Sequence, residues 1–152
     1  MIYIEAPKRT KTNLKSIFIA GSITGCPDWQ KTLIDSLKSL EIAIYNPRSE
    51  NFPIHDPSAS YEQIKWEYDH LRKADAISFW FSKDSLGPIV LFELGAHTMT
   101  QKPIVIGIEP GYPRQNDVLI QTKLIRPEIL IVNTLEDLSE EIFKLMNQII
   151  SF

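Results

Sequence analysis

The sequence predicts an α/β fold in which a mainly parallel sheet of five strands is covered by helices on both faces. Short apolar runs alternate with longer segments whose apolar residues recur every three or four positions, as in successive βαβ units. The short runs are apolar throughout, which is typical of strands buried on both faces. Five such units in one chain favour the flavodoxin-like strand order 2-1-3-4-5 in a single domain.

The predicted elements occupy residues 16–152, and residues 1–15 are predicted to be an N-terminal extension with at most a short edge strand. The strands are predicted at residues 16–20, 42–45, 76–81, 103–108 and 129–132. The helices are predicted at residues 26–40, 60–73, 88–96, 117–125 and 134–149. Capping patterns open two of them, Ser60 with Gln63 and Thr134 with Asp137. In the helix from Ser60, an apolar stripe runs through Ile64, Tyr68 and Leu71, and the polar face holds Glu62, Lys65, Glu67 and Asp69.

Composition excludes several classes of function. A chain of 152 residues that is 43% hydrophobic fits one globular domain. The net charge of -3, with no basic run, argues against a nucleic-acid polymer or a membrane surface as a partner. The single Cys26 and the widely spaced histidines do not form a metal-ligand pattern, and we expect neither a metal nor a cofactor. No apolar run has the length of a membrane span or a signal peptide, so we expect a cytoplasmic protein.

The strand order places a ligand crevice between the carboxyl ends of the first and third predicted strands. One flanking loop begins with Gly21, Ser22 and Ile23, whose backbone amides and hydroxyl would suit a phosphate or a sugar. Glycine-rich turns of this kind also occur in α/β domains without a ligand. The other loop carries Asp84 and Ser85, which are either binding groups or ordinary loop residues.

Three further residues have a functional and a structural interpretation. Arg48, after the second strand, is either a phosphate ligand or a surface residue. Trp80 either stacks on a base or belongs to the core, and aromatic residues within strands are more often core. Asp75 precedes the third strand, so its position alone favours a turn residue at the edge opposite the crevice.

Glu93 is the residue whose setting is hardest to explain structurally. It is the single carboxylate in a helix that otherwise carries Ile89, Val90, Leu91, Phe92 and Leu94. Burial of an unpaired carboxylate is costly, so such a residue is retained where function requires it. Gly95 and Ala96 are predicted to let this helix lie close to the sheet and hold Glu93 at the crevice.

Five blocks of sequence, in register over residues 16–122, resemble the nucleoside 2-deoxyribosyltransferase superfamily. They are most similar to its nucleoside 2-deoxyribosyltransferase-like branch. The blocks are Ser16–Ile23, Tyr45–Arg48, Gln63–Glu67 with His70 and Leu71, Ala74–Phe81, and Pro88–Gly95.

The resemblance implies a role for each matching residue. Glu93 would be the nucleophile that attacks the anomeric carbon, Asp75 would contact the base and move a proton, and Ser22 would bind the sugar or its 5′ substituent. A residue about two dozen positions past the nucleophile would serve the site of a neighbouring subunit, in a homo-oligomer with a shared active site, and Asn116, Asp117 and Gln121 lie near that spacing here. Well-studied members have Asp or Ser six residues before the nucleophile, where this chain has Gly87, so the 5′ end is expected to be recognised differently.

The implied function is cleavage or transfer at the N-glycosidic bond of a (deoxy)nucleoside or nucleotide through a covalent glycosyl-Glu93 intermediate. A carboxylate suits this chemistry independently, because it stabilises an oxocarbenium-like transition state and can form a glycosyl ester. The alternative is a module of the same fold that binds or senses a nucleotide without turning it over.

Overall fold

A computed structural model of the protein describes residues 1–49 and 56–151. In these residues a parallel sheet of six strands has the order β1-β3-β2-β4-β5-β6. Its strands are β1 (Ile2–Glu5), β2 (Ser16–Gly21), β3 (Ala43–Asn46), β4 (Ala76–Phe81), β5 (Ile104–Ile108) and β6 (Leu130–Val132). The helices are α1 (Trp29–Ser36), α2 (Pro57–Lys73), α3 (Pro88–Thr98), α4 (Gln115–Ile125) and α5 (Leu135–Ile150).

The predicted strand order is confirmed, and the predicted number of strands is one too few. The series β3-β2-β4-β5-β6 reproduces the order 2-1-3-4-5. The additional strand is β1, which lies within the predicted extension and pairs with β3 from Ile2 opposite Ala43. Only Ile4 of this strand is deeply buried, while Ile2 and Tyr3 are exposed. Four residues with one buried side chain carry too weak a pattern to distinguish an edge strand from an extension.

The two central strands direct their side chains alternately into two cores. Phe79 and Phe81 of β4 join the core beneath α2, α3 and α4, whereas Trp80 joins the core beneath α1 and α5. All residues of β2 and β4 are buried, as the apolar runs predicted. Gly21 at the end of β2 lies opposite Trp80 near the end of β4. The loops that follow these strands therefore begin at the same edge of the sheet.

Helix α2 starts earlier than the Ser60 capping pattern predicted. Asp56 caps it, accepting a hydrogen bond from the Ser58 amide at 2.9 Å, and a proline in the first turn suits its N-terminus. Near its other end, Lys102 Nζ donates to the carbonyl oxygens of Leu71 and Arg72 at 2.9 and 2.8 Å. The buried Trp66 indole donates to the Lys8 carbonyl at 2.7 Å. These contacts fix which face of α2 points toward the crevice.

Helices α2 and α3 leave an apolar surface exposed, which we call the α2–α3 face and define by Ile64, Tyr68, Ile89 and Phe92. Ile64 and Phe92 are 64% and 76% exposed. Of the stripe predicted on α2, Leu71 is buried, but Ile64 and Tyr68 face outward. A groove of about 610 Å³ runs along this face and is bordered by Glu67 and Glu93.

The contact between α3 and the sheet differs from the prediction. Val90 and Leu94 are the buried residues that make it, whereas Gly95 is exposed, with no atom within 4 Å of where its side chain would begin. Val90 and Leu94 are four positions apart, so they lie on the same side of the helix. That side places Glu93, between them in sequence, at the margin of the buried face.

None of the helices within residues 1–49 and 56–151 combines the length and the apolar character that crossing a membrane would require.

Candidate active site

A pocket of about 280 Å³ lies at the carboxyl edge of β2 and β4, where the crevice was predicted. We call it the Glu93 pocket. The loop after β2, the loop after β4, the first turns of α3 and the crevice side of α2 form its walls. Its lining residues are Gly21, Ser22, Ile23, Thr24, Pro47, Glu67, Ser85, Gly87, Pro88, Ile89, Val90 and Glu93.

Glu93 projects into this pocket from the second turn of α3. The helix begins with Pro88 after Gly87, and the Leu91 amide donates to the Gly87 carbonyl at 3.0 Å. Val90 and Leu94 hold the helix on the sheet, while Ile89 and Phe92 face outward. Glu93 therefore lies between a packed face and an exposed apolar face, and its carboxyl group is half-buried.

Glu67 is the second carboxyl group of the pocket, and it comes from α2. Gln63, one turn earlier on the same side of the helix, donates its Nε2 hydrogens to Glu67 Oε1 at 2.7 Å and to the Pro47 carbonyl at 2.9 Å. Gln63 thereby orients Glu67 and ties α2 to the residue after β3. The assignment of Glu67 to the polar side of the helix implied a solvated side chain. In the structure Glu67 is half-buried instead.

Both carboxyl groups of the pocket are harder to ionise than a solvated carboxyl group. Burial, and next the negative charge of Glu67, raise the pKa of Glu93 from 4.5 to about 8. Burial likewise raises the pKa of Glu67, although the hydrogen bond from Gln63 opposes this. Near neutral pH the pair therefore holds a proton that two solvated carboxylates would have lost.

The loop after β2 is shaped by close packing against Trp29. A Cβ atom at Gly21 would lie 2.3 Å from the Trp29 ring and 2.8 Å from the Trp80 carbonyl oxygen, so a larger residue does not fit. The Trp29 indole donates to the Ser22 carbonyl oxygen at 2.9 Å. This contact holds Ser22 at the mouth of the pocket, opposite the start of α3.

Gly87 closes the loop after β4 in a left-handed conformation, with φ 58°. A Cβ atom at this position would lie 2.6 Å from Ser22 Oγ. The Ser22 hydroxyl therefore occupies the space that a side chain at position 87 would need. This packing gives a physical reason for the glycine at position 87, where well-studied members of the superfamily that the sequence resembles carry Asp or Ser.

The structure brings together five of the residues selected from the sequence. Gly21, Ser22, Ile23, Ser85 and Glu93 all line the Glu93 pocket. They come from two loops and one helix that meet at the same sheet edge, as the strand order predicts.

Asp75 lies at the opposite edge of the sheet, and its predicted place beside the base does not agree with this position. It precedes β4, so the length of the strand, roughly 20 Å, separates it from the crevice. Its carboxylate accepts hydrogen bonds from the Ser16 amide at 2.8 Å and the Ser16 hydroxyl at 2.9 Å, and it pairs with Lys15. Asp75 therefore joins the starts of β2 and β4, the turn role that its sequence position had favoured.

Arg48 and Trp80 lie outside the lining of the Glu93 pocket and have structural contacts. The Arg48 guanidinium donates to the Gln30 side chain at 3.0 Å and the Pro27 carbonyl at 3.3 Å, which ties it to the start of α1. Trp80 is buried beneath α1 and α5, on the sheet face opposite α3. Side chains alternate along a strand, so a residue next to the crevice in sequence can point away from it.

Asp84 and Asn116 are exposed residues outside the lining of the Glu93 pocket. Asp84 is in the same loop as Ser85, but its side chain faces solvent. Asn116 lies in the first turn of α4, beyond α3 from the pocket. A role for Asn116 in its own chain's pocket is inconsistent with this position, whereas a role in a neighbouring subunit stays a prediction.

Glu67 is the residue that sequence reasoning missed, although a signal was present. Gln63 and Glu67 are four positions apart on the helix that precedes the third core strand, and both fall within a block that carries the family resemblance. The burial of Trp66 sets the rotation of the helix, and this packing could not be seen in the sequence.

The donor set in the pocket consists of carboxyl, hydroxyl and backbone groups. Within the part of the chain that the structure describes, no group of three or more His, Cys, Asp or Glu side chains is arranged to hold a metal ion. One carboxylate can act as a nucleophile while a second carboxyl group supplies or takes a proton, which is the combination used to cleave glycosidic bonds with retention.

The residues of the pocket lie in a segment that matches a known protein family. The family model described as "Nucleoside 2-deoxyribosyltransferase like" matches residues 14–112, well over half of the chain. The match includes both loops of the pocket together with Glu67 and Glu93. A search of curated proteins finds none that matches this sequence.

Two solved structures have a similar fold. A conserved protein from Enterococcus faecalis V583 is 22% identical, with a TM-score of 0.65, over 86% of this chain and 98% of its own. The 2-deoxyribosyltransferase from the psychrotolerant bacterium Bacillus psychrosaccharolyticus is 17% identical, with a TM-score of 0.59, over 82% of this chain and 90% of its own. At these identities the similarity establishes the fold.

Proposed function

Because the chain belongs to the nucleoside 2-deoxyribosyltransferase-like family, we propose that it cleaves or transfers the N-glycosidic bond of a (deoxy)nucleoside or nucleotide. The observation that carries this proposal is the pair of carboxyl groups, Glu93 and Glu67, in a single pocket at the carboxyl edge of the sheet. Their raised pKa values support it, because perturbed carboxyl groups in a cleft are typical of catalytic pairs.

In the proposed first step, the Glu93 carboxylate attacks C1′ of the sugar and forms a glycosyl ester. The bond from C1′ to the base nitrogen breaks, and its electron pair stays with the base. Glu67 in its protonated form donates its proton to the departing base. The reactive form of the pair thus has Glu93 ionised and a proton on Glu67.

In the second step, a water molecule or an acceptor base attacks C1′ and Glu93 leaves as a carboxylate. Glu67, now ionised, takes the proton that the attacking group loses. Capture by water makes the enzyme an N-glycosidase, and capture by a base makes it a transferase. The outcome depends on how well water is excluded while the glycosyl ester exists.

We further propose that Gly21, Ser22, Ile23 and Ser85 bind the sugar end of the substrate. Their loops line the pocket beside the first turn of α3, whereas Glu67 and Glu93 lie toward α2. The Ser22 and Ser85 hydroxyls can both donate and accept hydrogen bonds, which suits sugar hydroxyls.

The proposed assembly is a homo-oligomer. The α2–α3 face supports it, because it exposes four large apolar side chains beside the open side of the Glu93 pocket. A second copy on this face would cover those side chains and restrict the access of water to Glu93. Asn116 is the residue we propose to reach the pocket of a neighbouring subunit.

The test of function is a panel of nucleosides, deoxynucleosides and 5′-monophosphates, incubated with and without an acceptor base and analysed for free base by chromatography. We expect base release by the wild-type protein and a loss of about 10³-fold or more in Glu93→Ala. The matched control is Asp75→Asn, which alters a carboxylate at the far edge and should retain activity. An active Glu93→Ala variant would contradict the mechanism. Ligand binding without turnover in the wild-type protein would favour the non-catalytic module.

A further inference from the structure

The loop after β4 is held from outside the pocket by the segment that follows β5. Ser85 and Gly87 of this loop line the Glu93 pocket, and Gly87 leads directly into α3. Within the loop, the Ser85 amide donates to the Ser82 carbonyl at 3.3 Å. The stronger contacts come from Glu109 and Tyr112, neither of which lines the pocket.

Glu109 holds the first end of the loop. Its Oε2 atom accepts hydrogen bonds from the Ser82 hydroxyl at 2.9 Å and the Lys83 amide at 3.0 Å. Its other oxygen, Oε1, lies 3.1 Å from Lys83 Nζ. Burial raises the pKa of Glu109, but the bonds from Lys83 and Ser82 outweigh it and leave the pKa below its ordinary value. Glu109 is therefore ionised at neutral pH and accepts charge-assisted hydrogen bonds.

Tyr112 holds the other end of the loop. Its hydroxyl donates to the Leu86 carbonyl at 2.8 Å, immediately before Gly87. Its ring is buried and packs on Phe81, with the ring centres 5.1 Å apart. The Tyr112 amide also donates to the Glu109 carbonyl at 3.0 Å, so the two anchoring residues belong to one turn.

We propose that Glu109 and Tyr112 are positioning residues that hold residues 82–87 in the conformation that binds substrate. The kinetic consequence of this inference rests on the proposed function. A loop that is already ordered loses less conformational entropy when substrate binds, so its anchors lower KM. The carboxyl groups that perform the chemistry are on α2 and α3, so loosening the loop has a smaller effect on kcat.

The kinetic test uses Tyr112→Phe, which removes the bond to Leu86 and keeps the ring against Phe81. We expect KM to rise about 3- to 10-fold, with kcat within about twofold of wild type. Glu109→Ala should raise KM further, and Glu109→Gln, which keeps an acceptor oxygen, should recover part of that change. Tyr3→Phe is the matched control, because its hydroxyl bonds to Glu5 and Asn46 near the β1 edge of the sheet and should not affect KM.

The proposal would be overturned if KM were unchanged in both Tyr112→Phe and Glu109→Ala. It would also be overturned if Tyr3→Phe and Tyr112→Phe lowered the melting temperature equally and did not differ in KM. Amide hydrogen exchange provides a test that needs no activity. We expect faster exchange across residues 83–87 in both anchor variants, and unchanged exchange there would also overturn the proposal. If the wild-type protein releases no base, the proposed function fails, and hydrogen exchange still decides whether these residues hold the loop.

Discussion

Glu93 and Glu67 differ in what surrounds them, so the proton that they hold at neutral pH lies mainly on Glu93 and must pass to Glu67 before Glu93 can act as the nucleophile. Glu93 lies among the apolar residues of α3, and its pKa is raised to about 8. Glu67 accepts a hydrogen bond from Gln63, which partly offsets the effect of burial on its pKa. Pairs of carboxyl groups that share a proton are a recurrent means of keeping an acid and a nucleophile in one site at neutral pH.

The first prediction concerns the pH dependence of base release. In the wild-type protein kcat/KM should fall above about pH 8, as the pair loses the proton that Glu67 must donate. Glu67→Gln should lower kcat about 10²- to 10⁴-fold and abolish that alkaline fall. The acidic limb that remains should report the ionisation of Glu93 alone, whose pKa burial still holds above its ordinary value. The measurement is kcat/KM for base release between about pH 4 and pH 10, and an alkaline limb that persists in Glu67→Gln would exclude Glu67 as the acid.

The second prediction concerns the cost of Glu93 to stability. Because its pKa is raised from 4.5 to about 8, the folded protein keeps a proton that the unfolded chain releases, and stability falls as pH rises through this range. Glu93→Gln should therefore increase the free energy of unfolding by about 2–4 kcal/mol at about pH 9 and by little at about pH 4. Denaturant unfolding at both pH values measures this. Glu62→Gln, an exposed carboxylate on α2, is the control and should show no such difference.

At the scale of elements, the junction between the loop after β4 and α3 depends on the absence of a side chain at position 87. The backbone there is left-handed, and Ser22 Oγ fills the adjacent space. One position therefore sets both the direction in which α3 starts and the distance between the two loops of the pocket. The glycine at position 87, where well-studied members of the superfamily carry Asp or Ser, is thus coupled to Ser22 on the facing loop.

The third prediction tests this coupling with two glycines that share a left-handed backbone. Gly25, with φ 76°, has no atom within 4 Å of the place that a Cβ atom would take, so Gly25→Ala should cost about 1 kcal/mol from backbone strain alone. Gly87→Ala, which meets Ser22 Oγ as well, should cost about 2–3 kcal/mol. Adding Ser22→Ala to Gly87→Ala should recover part of the difference. Free energies of unfolding measure these costs, and equal values for the two glycines would refute the steric coupling.

The rotation of α2 shows where element-level prediction from sequence ends. The helical pattern of Ile64, Tyr68 and Leu71 identifies a helix, but two of the three residues are exposed. Trp66 and His70 fill the core side instead, where the two rings stack with centres 4.0 Å apart. An amphipathic helix with apolar residues on two sides has two possible orientations, and contacts such as the bond from Trp66 to Lys8 select one.

At the scale of the whole molecule, the exposed apolar face of α2 and α3 gives the fourth prediction. Light scattering should give a mass at least twice the 17.5 kDa of one chain. Phe92→Asp should reduce it to that of one chain, because a carboxylate would be buried in the interface. The control is Leu124→Asp on α4, where the side chain is 79% exposed but outside the α2–α3 face. A wild-type mass of one chain, or equal effects of the two variants, would contradict assembly through this face.

The sequence by itself determined the α/β class, the order of the five core strands, the edge of the sheet that bears the pocket, and the place of Glu93 at that edge. These follow from local patterns, since apolar runs define buried strands and the order of strands defines where loops meet. Only the tertiary structure decided which carboxyl group accompanies Glu93. Asp75 and Glu67 are both acidic residues near the same strand in sequence, but the length of β4 separates Asp75 from the pocket, while the packing of Trp66 turns Glu67 into it. Direction across a strand and rotation of a helix depend on contacts between distant residues, which no local pattern contains.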